Sequence, residues 1–327
     1  RNPCFSFFES LSLQNDVEMY LIDVRAIEKL IKNCNDTLEL PLSVMVDQSK
    51  TLHDVDKATY NVTYFVDKSD FVWIKSKPER VLLKQNFHRV GPLLVPMHLA
   101  RFLDHFERSR LIPCLNKKML RNKTKDQENQ YPLPAHFENK MAELRDALID
   151  MGTMPFITGG TLLGWYRECA IIPHTMDADF GVLKHEYRPR MLKQIKNLPG
   201  FDLFKRIGRD FDSLEFTLVA HGSGPIDIFI VYDQDDDHVY TTGLDKTTRL
   251  RFKWILPRAK GYCSGILGGR LFFVPCNVED ILKTEYGNDW ARDHPTSKFN
   301  WWESSPNVVR NGEFTKEEMD KYYIQYY

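Results

Sequence analysis

The sequence predicts an α/β (or α+β) fold, a mixed sheet flanked by helices and preceded by a smaller amino-terminal α/β domain. Three observations predict it. Strand-like alternation, as in Pro225–Tyr232 (PIDIFIVY), recurs beside helical periodicity, as in Ala135–Met151. A polar stretch ending in prolines, Asn122–Pro134 (NKTKDQENQYPLP), separates the two parts as a linker would. The 327 residues, 43% of them hydrophobic, provide for one large or two ordinary cores. The expected boundaries are 1–125 for the first domain, 126–134 for the linker and 135–327 for the second domain.

In the first domain, Tyr20–Asp23 reads as a short strand leading into a helix with Ile27, Leu30 and Ile31 on one face. Tyr60–Phe65 and Phe71–Lys75 read as strands, Val81–Val95 as a pair broken at Gly91-Pro92, and Leu99–Phe106 as a helix. No chemical motif occurs there, and its Asp and His residues read as surface or capping groups. The second domain opens on a helix with Phe137, Met141, Leu144 and Leu148 on one face and Gly152 as its stop. Pro155–Thr158 begins the main sheet, Arg190–Asn197 reads as a helix, and Leu203–Arg209 with Ser213–His221 as paired strands. Gly222-Ser223-Gly224 is a turn, and the acid run Asp233–Asp237 is a solvated turn that lacks the Gly and final Glu of an EF-hand. Gly268–Pro275 reads as a strand, Asn277 opens a capped helix stopped by Gly287, and the Tyr-rich tail packs back as a short helix.

The chemistry concentrates in Phe156–Val182, FITGGTLLGWYRECAIIPHTMDADFGV. Side chains two apart on a strand share a face, so Asp177 and Asp179 present their oxygens side by side, with Ala178 and Phe180 turned away. Asp227, between isoleucines on a later strand, supplies a third hard oxygen ligand. Such a set suits Mg²⁺ or Mn²⁺, with phosphate and water completing the shell. The Gly159-Gly160 turn, with Thr161, lets backbone N–H groups approach a phosphate because no Cβ intervenes. Taken singly, each part has a plainer explanation: a capped turn, a Gly-Gly turn, an edge-strand charge. Their order and apolar flanks point together to a metal-dependent nucleotidyl- or phosphoryl-transfer site.

Further residues are candidates with competing explanations. Arg167 is a diphosphate clamp or an ion-pair partner of Glu168 or a core carboxylate. Glu215 is a fourth acid or pairs across strands with Arg209 or Arg206. Arg249, Arg251 and Lys253 have period two, so they form a phosphate-facing row or an ordinary solvated strand face. Trp301-Trp302 is a sugar platform or core packing.

The 44 Lys+Arg against 45 Asp+Glu argue against a general nucleic-acid binder. No apolar run approaches the ~18 residues of a membrane helix, and the start at Arg1 leads us to expect that an anchor or signal segment is absent from this chain. Asn35, Asn61 and Asn122 each open a glycosylation sequon, all in the amino-terminal part. The six cysteines admit three bridges without fixing their partners, though Cys263 and Cys276, flanking Gly268-Gly269, are placed to close a hairpin. The lack of a Cys-x-x-Cys pair argues against a structural zinc.

The segment resembles the LicD group, which includes fukutin and the fukutin-related protein. The residues that carry the resemblance are Gly160-Thr161, Leu163–Arg167, Cys169, Ile171–Pro173, Asp177-x-Asp179-x-Gly181, Asp212–Glu215, Asp227–Phe229, Val274–Cys276 and Pro306–Val308. Leu21–Asp23 and Ser109–Cys114 also look like fukutin's amino-terminal part, so the likeness covers most of the chain and is closer to fukutin than to the bacterial members. The amino-terminal part here is shorter, and Ala178 and Phe180 stand where relatives often carry Val and Leu. The resemblance implies a nucleotidyltransferase-like sheet and transfer of a phospho-alditol, such as ribitol phosphate, from a CDP-activated donor to a sugar hydroxyl, with release of CMP. It implies a glycan acceptor on a glycoprotein, a Golgi type II membrane protein, and an amino-terminal domain that helps assemble partners, another transferase or a second copy among them. In this reading Asp177 and Asp179 hold Mg²⁺ or Mn²⁺, Asp227 completes the metal site or accepts the hydroxyl proton, and Gly159, Gly160, Thr161, Arg167, Arg251 and Lys253 contact the donor. Phosphocholine transfer from CDP-choline, a metal-dependent glycosyltransferase and a catalytically idle scaffold subunit are the alternatives.

Overall fold

The computed structural model describes residues 3–11, 17–32, 34, 38–50, 52, 55–119, 133–294 and 299–327. The chain forms two compact units, Arg1–Ile112 and Pro113–Tyr327. Both are mixed α/β. Most of the linker expected over 126–134, and the sequons at Asn35 and Asn122, lie outside the described residues.

The first unit runs α1 (Pro3–Ser10), β1 (Met19–Leu21), α2 (Val24–Ile31), β2 (Leu42–Asp47), β3 (Tyr60–Asp67), β4 (Phe71–Ile74), β5 (Arg80–Leu83), β6 (Phe87–Val90), β7 (Leu93–Pro96) and α3 (Leu99–Glu107). Its seven strands form one mixed sheet in the order β5-β4-β3-β2-β1-β7-β6. Asp23 caps α2, its carboxylate accepting from the N–H of Ala26 at 3.0 Å and of Ser43 at 3.1 Å. This conspicuous acid is therefore structural. Ile27 and Leu30 are buried as the helical period requires, whereas Ile31 is exposed because it falls beyond the buried stripe. The Val81–Val95 pair proves to be the end of β5 plus the β6–β7 hairpin turning at Gly91-Pro92. Cys4 and Cys34 are bridged, and Asn61 stands exposed on β3.

The second unit continues with α4 (Phe137–Asp150), β8 (Phe156–Ile157), α5 (Gly159–Glu168), β9 (Ala178–Leu183), α6 (Arg190–Lys196), β10 (Phe201–Ile207), β11 (Glu215–Ala220), β12 (Pro225–Asp233), β13 (His238–Leu244), β14 (Leu250–Pro257), β15 (Tyr262–Leu267), β16 (Arg270–Pro275), α7 (Val278–Tyr286), β17 (Val308–Glu313), α8 (Lys316–Tyr322) and β18 (Tyr323–Gln325). Its sheet has eleven strands, eight of them in the order β15-β16-β8-β9-β12-β11-β10-β18, with β13, β14 and β17 extending from β12. α4 buries Phe137, Met141, Leu144 and Leu148 and ends at Gly152, whose φ of 91° suits glycine. On the β9, β11 and β12 strands, Ala178, Phe180, Phe216, Leu218, Ile226 and Ile228 are fully buried, so one face of the sheet is core. The alternate residues of the same strands carry the acids.

Two disulfides fasten this unit. Cys263–Cys276 closes the β15–β16 hairpin across Gly268-Gly269. Cys114–Cys169 ties the residues that open the unit to the end of α5, and the N–H groups of Leu115 and Lys117 donate to the carbonyls of Tyr166 and Arg167 alongside. Asn277 precedes α7 but does not cap it. Its side chain instead accepts from Lys260 N–H and donates to the Arg258 carbonyl, pinning the preceding loop.

α5 lies against the sheet through Trp165, which is fully buried and donates from Nε1 to the Ile266 carbonyl at 3.1 Å. Gly265 makes room for it, since a Cβ there would sit 2.2 Å from Trp165 Cζ2. Gly265→Ala should therefore cost about 1–3 kcal/mol by overpacking, read as a lowered thermal midpoint. An unchanged midpoint would refute the close fit.

Candidate active site

Four acids and a lysine meet where four neighbouring strands run side by side. β9 and β12 are parallel with Asp179 opposite Asp227; β11 places Thr217 opposite Asp227; β10 places Lys205 opposite Thr217. The lateral row is therefore Lys205–Thr217–Asp227–Asp179, all on one face. Asp177 immediately precedes β9 and joins the row because it lies two residues before Asp179. Oxygens of Asp177, Asp179 and Asp227 lie within 4.8 Å of one another. Glu215 enters from the next position on β11 and pairs with Lys205 at 3.4 Å.

Each of the three aspartates is positioned by a threonine hydroxyl. Thr217 Oγ1 donates to Asp227. Thr175 Oγ1 donates to Asp177 at 3.2 Å. Thr161 Oγ1 accepts from the Asp179 N–H at 2.8 Å and lies 3.4 Å from its carboxylate. The Gly159-Gly160 pair is not a free turn but the first turn of α5. A Cβ at Gly159 would stand 2.9 Å from Asp179 Oδ2 and Gly159 has φ of 54°, so glycine is required there to bring this helix start onto the carboxylate; at Gly160 the distance is 3.8 Å, an ordinary contact. The first N–H groups of a helix lack i−4 partners and carry its positive end, which favours an anion at this place.

Burial dominates the electrostatics, with like-charge crowding second. Burial, then Asp177, Asp227 and Glu285, hold the Asp179 carboxyl well above the usual range. Burial pushes Glu215 up to about 7 and Asp227 up to about 6, in each case against the pull of Lys205. Burial opposes the charge of Lys205, yet the facing Glu215 and Asp227 outweigh it and raise its pKa. Glu285, from the end of α7, is pushed by burial to about 7 and has one buried oxygen, Oε2, without a hydrogen-bond partner among the described residues. Five acids, Asp177, Asp179, Glu215, Asp227 and Glu285, facing one cavity with Lys205 as its lysine make a donor set that a divalent cation fits.

The cavity above the row has a volume of about 620 Å³. Gly159 and Gly160 border it on one side, Gly243, Trp254 and Trp301 on another, and Tyr286 with Trp290 beside Glu285.

Residues 3–113 match the W02B3.4-like amino-terminal domain, and residues 152–277 match the LicD/FKTN/FKRP nucleotidyltransferase domain. The uncharacterized protein W02B3.4 of Caenorhabditis elegans is 32% identical over 98% of this chain and 84% of its own length. A second uncharacterized protein of that organism, T07A5.1, is 30% identical over 97% of this chain and 86% of its own. The chain belongs to the LicD/FKTN/FKRP family. The mouse ribitol-5-phosphate transferase FKTN is 29% identical over 70% of this chain, which spans half the length of that relative.

The stretch shared with the LicD domain holds Gly159, Gly160, Thr161, Asp177, Asp179, Lys205, Glu215 and Asp227. Three sequence candidates in the same stretch do not join the row. Arg167 borders the cavity but is 2% exposed, and its guanidinium is spent on Glu168 at 2.6 Å, Asp293 at 3.2 Å and the Arg292 carbonyl at 2.7 Å. Arg251 and Lys253 point away from the cavity. On β14 it is Trp254 and Leu256 that line it, so the odd-numbered neighbours face the other side. Arg251 pairs with Asp212 at 2.8 Å, and Lys253 lies over the Tyr240 ring at 3.9 Å. The expected partners of Glu215, Arg206 and Arg209, bind Asp210 and Asp212 instead.

Lys205 was missed by sequence reasoning, and strand alternation alone would misplace it. A β-bulge between Leu203 and Lys205 breaks the period of FDLFKRI: Leu203 stands opposite Leu218 on the core face, whereas Lys205 stands opposite Thr217 on the face that carries the acids. Glu285 and Tyr286 lie beyond the matched domain, and no local pattern marks them; Trp301, also beyond it, was marked only by its adjacency to Trp302.

Proposed function

We propose that this LicD-family protein is a metal-dependent phosphotransferase that moves a phospho-alditol, ribitol phosphate foremost, from a CDP-activated donor to a sugar hydroxyl of a glycoprotein glycan. The observation that carries the reading is the row Lys205–Thr217–Asp227–Asp179 under the glycine-built start of α5. Kinship with a ribitol-5-phosphate transferase supports the donor. Asp177, Asp179 and Asp227 would hold Mg²⁺ or Mn²⁺, which when bound neutralises diphosphate charge and favours departure of CMP.

The chain's own groups supply the rest. The N–H groups opening α5 receive the diphosphate, and Thr161 keeps Asp179 aligned beneath it. The acceptor hydroxyl oxygen bonds to the phosphorus bearing the alditol, the bond from that phosphorus to the CMP oxygen breaks, and the hydroxyl proton passes to a carboxylate. Glu215, at about 7, has the affinity for that task near neutral pH, and Lys205 at 3.4 Å fixes it in place. Positioning dominates such a transfer, since a loose phosphoryl transition state asks little of the base.

Three disulfides and an exposed sequon asparagine on β3 support a luminal setting, the Golgi by kinship. Among the described residues no helix is long and apolar enough to cross a membrane. Assembly with a second copy or another transferase belongs to the same proposal.

CMP release should be followed with CDP-ribitol, CDP-glycerol, CDP-choline and a set of UDP- and GDP-sugars, each with Mn²⁺ or Mg²⁺. Turnover of a CDP-alditol alone supports the reading; turnover of CDP-choline or a sugar nucleotide replaces it. Cation binding has a definite pH sign. The folded carboxyls titrate near 6 and 7, above the ~4 of the unfolded chain. The metal-free fold thus binds more protons than the unfolded chain, and the cluster's contribution to stability falls as pH rises from ~4 to ~7. Protons and cation compete for the same oxygens, so Mn²⁺ should raise the thermal midpoint more at pH 8 than at pH 6. An equal or reversed pH effect would count against the carboxylate site.

A further inference from the structure

We propose that the tryptophan wall of the cavity is the acceptor subsite and takes the apolar face of a neutral pyranose; this rests on the phosphotransferase reading above. Trp254 of β14 and Trp301 of the carboxy-terminal part lie with ring centroids 5.3 Å apart, both half-exposed and both lining the cavity. Trp254 Nε1 donates to the Trp301 carbonyl at 3.2 Å, which locks one indole to the backbone of the other. Phe252 at 5.8 Å and Trp302 at 4.7 Å meet Trp301 edge-on and hold its ring from behind. The adjacent tryptophans of the sequence are thus not a joint platform: Trp302 supports, and Trp301 works with Trp254.

A glycine permits this arrangement. A Cβ on Gly243 would stand 2.5 Å from Trp254 Cη2 and 2.9 Å from Trp301 Cζ3, so both indoles lie directly over the β13 backbone. The same wall carries hydroxyls, with Thr241 opposite Trp254 in the β13–β14 register and Ser304 at the rim. It carries no charge from β14, because Arg251 and Lys253 face the other side. Flat aromatic surface edged by hydroxyls suits a sugar's C–H face and its hydroxyl groups. The anionic donor finds its counter-charges elsewhere, at the start of α5. The wall and the carboxylate row line one cavity, so a ring seated on the indoles occupies the same space that the row borders.

Saturation-transfer NMR with millimolar methyl glycosides of galactose, mannose, glucose, xylose, N-acetylglucosamine and N-acetylgalactosamine tests this, with CMP plus Mn²⁺ as a parallel probe. The expected result is saturation of the ring C–H protons of at least one glycoside, weakened about tenfold in Trp301→Ala and in Gly243→Val. Trp301→Phe, which keeps an aromatic face, should retain most of it, and thermal unfolding shows whether each variant is folded. Silence with every glycoside overturns the proposal, as does unchanged glycoside binding in a folded Trp301→Ala protein. Loss of CMP binding with glycoside binding intact in that variant assigns the wall to the nucleobase and likewise overturns it. Failure of wild-type protein to bind CMP with Mn²⁺ would strike the phosphotransferase reading instead, and the glycoside arm would still judge the wall.

Discussion

Asp179→Asn is expected to lower turnover by about a thousandfold or more and, at the same time, to raise the thermal midpoint of the metal-free protein. The residue is half-buried and, desolvated by its neighbours, faces Asp177, Asp227 and Glu285, so its charge is opposed by its surroundings and its carboxyl sits well above the usual range. An amide of the same shape keeps contact with Thr161 Oγ1, 3.4 Å away, and removes the repulsion. It also removes the central ligand of a cluster whose oxygens lie within 4.8 Å. A thousandfold loss corresponds to about 4 kcal/mol of transition-state stabilisation, the scale expected when a group that organises developing charge is lost. The check is a pair of melts at pH 8, with chelator and with Mn²⁺, beside CMP release. The wild type should gain from Mn²⁺ and the variant should not. A variant that turns over normally, or gains as much from Mn²⁺, would remove Asp179 from the site. A functional acid that costs stability is common where chemistry sets the geometry.

Arg167→Met is expected to damage the fold rather than the affinity for donor. The guanidinium holds Glu168 and Asp293, which are 8% and 9% exposed, and donates to the Arg292 carbonyl. Removing it leaves two poorly solvated carboxylates without their shared cation, a loss of about 3–5 kcal/mol. The network joins α5 to the segment after α7 that carries Trp290 on the cavity's edge. The outcome should be a large fall in thermal midpoint, with KM for donor nearly unchanged in whatever folded fraction remains at low temperature. A stable variant with a strongly raised KM would restore Arg167 as a diphosphate clamp.

The carboxylate trio was legible because its determinants are local. Two acids at spacing two fix a shared face wherever the strand lies, and the core-facing isoleucines on either side of Asp227 turn it to the opposite face. The α4 helix was legible for the same reason, as was the hairpin bridged by Cys263 and Cys276. The cationic row failed because periodicity states that Arg251 and Lys253 share a face without saying which face meets the cavity. That choice was made by partners distant in sequence: Trp254 packs against Trp301 on the cavity side, while Arg251 is buried against Asp212 and Lys253 lies over the Tyr240 ring on the other. Arg167 was left open between two uses since its partner Asp293 lies 126 residues away.

The sequence by itself determined the elements, the three acids and the glycines at the start of α5, because backbone preference and side-chain period act over a few residues. Only the tertiary structure decided that Lys205 is the cation of the row, that Glu285 closes on Asp179, and that Trp301 stands beside Trp254. Those meetings depend on strand order and on where α7 and the tail return, and long-range packing fixes them.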